Sequence, residues 1–366
     1  MILSVLIFIL VLSVLILVHE LGHFFVARRA GIKVEEFGFG IPPRIIGKKF
    51  GETIYSINAL PFGGFVRLHG ENEEEGITDP KRAFLNKGKK VRALVVTAGV
   101  IMNFILAIVA FAIVYSFSGI PRDTGNLKII DVAAGSPAQV AGLVVGDTIT
   151  KIAGSSVTSS DDFINKTAAL KGKKTAFEVQ RNGAVIKVNL TPREAPPEGE
   201  GPIGVTITTM EIYYPPVWQR PFYGIYYGFK DAIFWGQTIV LGLAGIIGGL
   251  FKGQIPQDVS GPVGIFAVTT EAAKSGIITL INFVGILSVN LAILNILPFP
   301  ALDGGRLLFI GIETVTRKRV STKVEGTIHN IGMIILLLLI LAITIGDVRR
   351  LITFGGIHGF INSMVK

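Results

Sequence analysis

Residues 2 to 18 contain no charged side chain and only two serines, and this run ends directly on His19-Glu20-Leu21-Gly22-His23. At ~1.5 Å per residue, a helix of that length nearly crosses a hydrocarbon core of ~30 Å, so the motif sits at one edge of a membrane. On a helix, His19 and His23 project from one face, and Glu20 is turned by ~100° from His19. This is the spacing of a zinc site that carries its own general base. So short a pattern also occurs by chance on surface helices. Its position argues otherwise, because two imidazoles and a carboxylate at a bilayer edge are costly without partners. A signal peptide is the other reading of the run, and it lacks the basic leading region and small-residue cleavage site.

Half of the 366 residues are hydrophobic, and the mean hydropathy is +0.59. That excludes an ordinary soluble enzyme and implies several spans in the lipid bilayer. Cysteine is absent, so any metal is held by His, Asp or Glu. A net charge of +9 would suit nucleic acid, but the basic residues cluster in loops beside apolar segments, where they set topology; no nucleic-acid partner is expected.

The expected fold is a polytopic α-helical membrane protein of about four transmembrane helices, with a membrane-associated β-hairpin and one extracytoplasmic PDZ-like α+β domain. Residues 1–27 form the first transmembrane helix. Residues 28–92, rich in Lys and Arg, form a cytoplasmic loop. Within it 53–58 alternate as a strand, and 63–68 supply a hairpin partner beyond the turn around Pro61. The hairpin either offers an edge to an extended substrate or is purely structural. Residues 93–118 return the chain outward; the polar Asn103 in this span serves either as packing glue or as a group near the site.

Residues 119–210 alternate short strands and turns as a small domain. The run from Gly135 to Ile149 resembles the hallmark segment of bacterial PDZ domains, which bind peptides, often C-terminal tails, by strand addition. Residues 211–275 form an interfacial or re-entrant segment. Glycines weaken 222–253 as a span, and a crossing there would put Asp303 opposite His19 and His23. Residues 276–305 are the third transmembrane helix with Leu302-Asp303-Gly304-Gly305, 306–327 a cytoplasmic loop, 328–348 the fourth helix and 349–366 the tail. Two histidines leave a zinc site one protein ligand short. Asp303 is the strong candidate, at the proline-broken end of a helix; a helix-terminal cap is its alternative role. His69 is read as a solvated residue or hairpin support, His329 and His358 as interfacial, and the acidic run Glu71, Glu73, Glu74, Glu75 as a solvated loop.

HELGH at the end of a first span, a PDZ-like domain between spans and the segment Asn290-Leu291-Ala292-Ile293-Leu294-Asn295 running on to Asp303-Gly304-Gly305 together resemble the site-2 protease family of intramembrane zinc metalloproteases. The likeness is to its bacterial RseP/RasP-type branch, peptidase family M50. That resemblance implies that His19, His23 and Asp303 hold Zn2+ and that Glu20 is the catalytic base. It further implies substrate positioning by Asn290 and Asn295, and by a hairpin edge that includes Ile54, Ser56 and Asn58. Ala98-Gly99-Val100 departs from the Gly-Pro common in the family before the second-span Asn. The implied activity is regulated intramembrane proteolysis of single-pass proteins, such as anti-sigma factors or signal-peptide remnants. The implied place is the bacterial inner membrane, with the site near the cytoplasmic face. A catalytically inactive scaffold recruiting partners through the PDZ-like domain is the alternative, and Glu20 beside three ligands argues against it. A transporter is weakened by the edge position of the polar cluster.

Overall fold

The computed structural model describes residues 2–71, 77–253, 260–356 and 359–360. Glu73, Glu74, Glu75 and His358, with the end of the tail, lie outside the described residues. The chain divides into two compact units, residues 1–117 with 218–366, and residues 118–217.

Helix α1 (Ile2–Arg29) runs unbroken through HELGH. It is followed by two long strands, β1 (Val34–Phe50) and β2 (Thr53–Leu68), and by helix α2 (Lys89–Ser118). Each strand is used twice. Residues 34–39 pair antiparallel with 64–68, and 44–50 pair antiparallel with 53–58. Residues 36–39 also lie beside 54–57 with the numbers rising together, Glu36 opposite Ile54 and Phe39 opposite Ile57. The order across the sheet is therefore 44–50, 53–58, 34–39, 64–68.

This corrects the expected hairpin, because 34–39 separates 53–58 from 63–68. Side-chain chemistry explains the insertion. Glu36 is 2% exposed and is held between Arg44 (Nε to Oε1 3.0 Å) and Arg67 (Nη2 to Oε2 3.4 Å). Asn58 donates to the carbonyls of Phe39 and Gly40 at 3.1 and 3.2 Å, and Thr53 Oγ1 donates to the Val34 carbonyl at 2.9 Å. Polar groups of one strand are thus satisfied on its inserted neighbour. His69 is buried here as a support: its Nε2 accepts the Asp79 N–H at 3.0 Å, and its Nδ1 lies 2.8 Å from Glu35 Oε1.

The second unit carries β3 (Ile120–Val132), α3 (Pro137–Val140), β4 (Thr148–Ile152), β5 (Ser155–Ser156), α4 (Ser160–Ala169), β6 (Thr175–Arg181), β7 (Ala184–Leu190) and β8 (Val205–Tyr213). The sheet order is β7-β6-β4-β3-β8, with β5 beside β4. Inward residues at every second position, among them Leu127, Ile129, Phe177 and Val179, build its core. Ser136 and Ser159 cap the two helices. Asp147, fully buried, accepts from Arg181 Nε and Nη2 at 2.7 Å each. Burial pushes the Asp147 carboxyl up, but the Arg181 hydrogen bonds, the Val144 N–H and the guanidinium charge outweigh it and hold its pKa below the usual value.

The first unit resumes with α5 (Arg220–Phe251), α6 (Pro262–Ser275), α7 (Ile277–Ile296), α8 (Asp303–Thr316) and α9 (Thr322–Thr353). Small residues let α5 run antiparallel against α2: a Cβ on Gly224 would come 2.5 Å from the Ala112 carbonyl oxygen, and one on Gly228 would come 2.7 Å from that of Ile108. Ala232 continues the row into a core with Phe111 and Val289. This is the small-xxx-small contact of membrane helices. Tyr115 donates across the contact to Asp231 at 2.7 Å. The first turn of α6 is fixed by Asp347 of α9, whose Oδ2 accepts from Gly261 N and Gly264 N at 2.9 Å each. Among the described residues five helices are long and apolar enough to cross a membrane: α1, α2, α5, α7 and α9. The sequence reading expects four, and the addition is α5, a single helix of 32 residues.

Candidate metal centre

His19 and His23 lie one turn apart on α1, and their rings face α2. Two glycines permit this approach. Gly22 abuts the Ala98 carbonyl, and a Cβ on Gly99 would sit 2.5 Å from His23 Nε2 and 2.7 Å from His19 Nε2. Asp303 arrives as the first residue of α8. Gly304 packs against the carbonyls of Ile296 and Leu297 with no room for a side chain, which folds the start of α8 back on the end of α7. Ala301, in the left-handed region at φ 79°, donates its N–H to His329 Nδ1 at 3.0 Å. His329 therefore supports the turn that delivers Asp303, where sequence reading expects an interfacial role.

The three side chains meet in a nearly equilateral triangle. His19 Nε2 and His23 Nε2 are 3.1 Å apart, and Asp303 Oδ2 is 3.1 Å from the first and 3.3 Å from the second. His23 Nδ1 donates to the Val95 carbonyl at 2.8 Å, which leaves a bare lone pair on Nε2 in the neutral ring. Asp303 Oδ2 is buried without a hydrogen-bond donor. Three electron-rich atoms facing one another in a buried site form an arrangement that a cation relieves. Tetrahedral bonds of about 2.0–2.1 Å place ligand atoms about 3.3 Å apart, so the donor set and its size fit zinc. Among the described residues this is the one such cluster of three.

Glu20 lines the same cavity of about 450 Å3 as His19, His23 and Asp303. The edge strand lies against it: Phe65, Val66 and Leu68 also line the cavity, and a Cβ on Gly64 would lie 3.5 Å from Glu20 Cγ. The sheet order corrects the expected substrate edge. Ile54, Ser56 and Asn58 lie on an interior strand, paired on both sides, with Ser56 and Asn58 buried. The strand with an unpaired side next to Glu20 is 64–68. Glu71 ties its end down, accepting from Leu68 N at 3.3 Å and pairing with Arg306, one turn beyond Asp303.

Of the two α7 amides, Asn295 comes within 3.5 Å of His19 Nδ1, whereas Asn290, half-buried, is not brought to the histidine pair. Sequence reasoning missed Gly99, Val95 and Arg306 as parts of the site. The spacing of Arg306, three residues after Asp303, was the available signal for that residue; nothing in the sequence marks a backbone carbonyl.

The model of peptidase family M50 matches residues 7–339. A protein of Clostridium acetobutylicum named as a zinc metalloprotease is 39% identical over 351 residues, covering 96% of this chain and 99% of that one. The zinc metalloprotease RasP of Geobacillus kaustophilus is 32% identical, covering 95% and 98%. The PDZ domain of the SdrC-like protein from Listeria monocytogenes is 24% identical, covering 23% of this chain and 88% of that chain at a TM-score of 0.21.

Proposed function

The chain belongs to peptidase family M50 and is a zinc metalloprotease of the site-2 type; from that premise we propose that it cuts single-pass membrane proteins within the membrane, at His19, His23, Asp303 and Glu20. The observation that carries the reading is the triangle of ligand atoms with a carboxylate beside it, where the uncharged run of α1 gives way to polar residues.

Zinc, when bound by His19 Nε2, His23 Nε2 and Asp303, acidifies water toward a pKa of ~7 and polarises the scissile carbonyl. Glu20 takes the proton of the attacking water and returns it to the leaving amine. A substrate helix hides its carbonyls in its own hydrogen bonds, so one stretch must unwind before it can be cut. The unpaired side of 64–68 replaces those bonds by strand addition, and Asn290 and Asn295 are proposed to steady the extended chain. Substrates with Gly or polar residues in the span are favoured; anti-sigma-factor-like proteins and signal-peptide remnants are the class. The basic loop after α1 supports a site near the cytoplasmic face of the bacterial inner membrane, with the PDZ-like unit outside, where it takes a peptide tail or filters substrates by size.

The test is zinc content and cleavage of a tagged single-pass reporter by purified protein in lipid. Wild type is expected to hold zinc and cut inside the span, Glu20→Gln to keep zinc and lose cleavage, and Asp303→Asn to lose zinc. Cutting unaffected by Glu20→Gln, or bound zinc without cutting of several helix-destabilised reporters, refutes the reading.

A further inference from the structure

A histidine that binds metal through one ring nitrogen gives the hydrogen on the other to an acceptor, and that second contact fixes tautomer and orientation. His23 has such a partner in the Val95 carbonyl. For His19 the Nε2 faces the ligand triangle, so the contact must be made at Nδ1. Two amides reach that atom, Asn103 at 3.3 Å and Asn295 at 3.5 Å.

We propose that Asn103 is the positioning residue of His19, its Oδ1 accepting the Nδ1–H and thereby presenting Nε2 to the metal. Both amides place nitrogen toward the ring, which would set two donors on one atom and require a bare Nδ1, the tautomer that cannot bind metal through Nε2. One amide must turn its oxygen inward, and the oxygen and nitrogen of an amide exchange places by a simple flip. Asn103 is the nearer of the two and is 0% exposed. Its Oδ1 is buried with no hydrogen-bond partner, so turning it to the ring gives an orphaned acceptor a donor. The α2 backbone at this residue is pinned as well: Ser288 Oγ, also 0% exposed, donates to the Asn103 carbonyl at 2.8 Å. Asn103 thus lies where α1, α2 and α7 meet, and Asn295 is left without this task.

The inference rests on the zinc reading above, and the experiment separates the two. Zinc affinity is measured by chelator competition on the full chain in detergent for wild type, Asn103→Leu, Asn103→Asp and Ser288→Ala. Asn103→Leu, of similar size but without an acceptor, is expected to bind zinc about 10–100-fold more weakly. Asn103→Asp, which keeps an acceptor, restores affinity to within a few fold, and Ser288→Ala, which loosens the helix contact but keeps the amide, stays within about two-fold. In the Co2+-loaded wild type, proton NMR shows two solvent-exchangeable ring N–H signals, one from each histidine, and Asn103→Leu loses one; the wild-type spectrum needs no variant to fold. Equal affinity in wild type and Asn103→Leu, or equal loss in the Leu and Asp variants as a packing role requires, overturns the proposal. A wild type that binds no zinc overturns the metal reading beneath it.

Discussion

At the scale of single residues, the metal centre depends as much on an absent side chain as on the three present. Gly99 leaves open the space beside both Nε2 atoms, and a methyl group there competes with any ion. Gly99→Ala is expected to lower zinc content to below about one tenth of wild type with helix content unchanged, read by metal analysis and circular dichroism; full zinc occupancy in that variant contradicts the assigned position. Gly64 makes a parallel case at the cavity wall, where a Cβ would crowd the Gly38 carbonyl oxygen at 3.1 Å and come into contact with Glu20 Cγ at 3.5 Å, so that any larger side chain fills the space beside Glu20. Gly64→Val is expected to keep zinc and cut cleavage on the order of 100-fold, since a displacement of about 1 Å has that effect. Polar residues at helical spacing are visible in a sequence and make HELGH legible, and Asp303 stands out at the proline-broken end of an apolar run. The glycines were not, because what a glycine makes room for depends on which helix faces it, and in the sequence Gly99 reads only as part of a departure from the family's Gly-Pro.

At the scale of elements, long apolar runs made α1, α2, α7 and α9 legible, and alternation made much of the second unit so. The sheet beside the site was not. Residues 34–40 read Val-Glu-Glu-Phe-Gly-Phe-Gly, with two adjacent acids and two glycines, which is no strand pattern. They enter the sheet because Arg44 and Arg67 neutralise the buried Glu36 from both sides, a compensation between residues far apart in the chain. In the second unit the Asp147–Arg181 pair gives a pH prediction. The Asp147 pKa lies below its unfolded value of ~3.9, so its stabilisation is complete above pH ~4 and is lost as pH falls through the folded value. Arg181→Met is expected to lower the stability of the second unit, by leaving the buried Asp147 carboxylate without its cation, and to move the onset of acid unfolding upward. Hydrogen exchange of β4 and β6 amides in the full chain, followed down to about pH 3, checks this; an unchanged acid onset would remove the pair from the account of stability.

At the scale of the whole molecule, contacts within the helical unit bear on how it meets the bilayer. Arg220, at the start of α5, offers its carbonyl to Ser116 near the end of α2 at 3.2 Å. The start of α6 meets Asp347, and Phe266 meets Phe8 edge to face with ring centroids 5.5 Å apart. Phe8 precedes His19 by eleven residues, or ~16 Å of helix. Both α5 and α6 thus begin at the end of the helical unit away from the candidate metal centre, the arrangement that an interfacial or re-entrant reading of 222–253 requires. Reporter fusions near residue 257 are expected to give no cytoplasmic signal; a cytoplasmic signal would make α5 a true crossing.

The ligand triangle also has a consequence in time. His19 and His23 leave the ribosome some 280 residues before Asp303, and at ~5–20 residues per second that interval is on the order of 14–56 s. Throughout it the nascent chain holds the proposed base and two of the proposed ligands but not the third, so on that ligand set the peptidase cannot act on neighbouring nascent helices before the α7–α8 turn has been made. Dividing the proposed metal site between α1 and α8 makes the emergence of Asp303 the event that completes it.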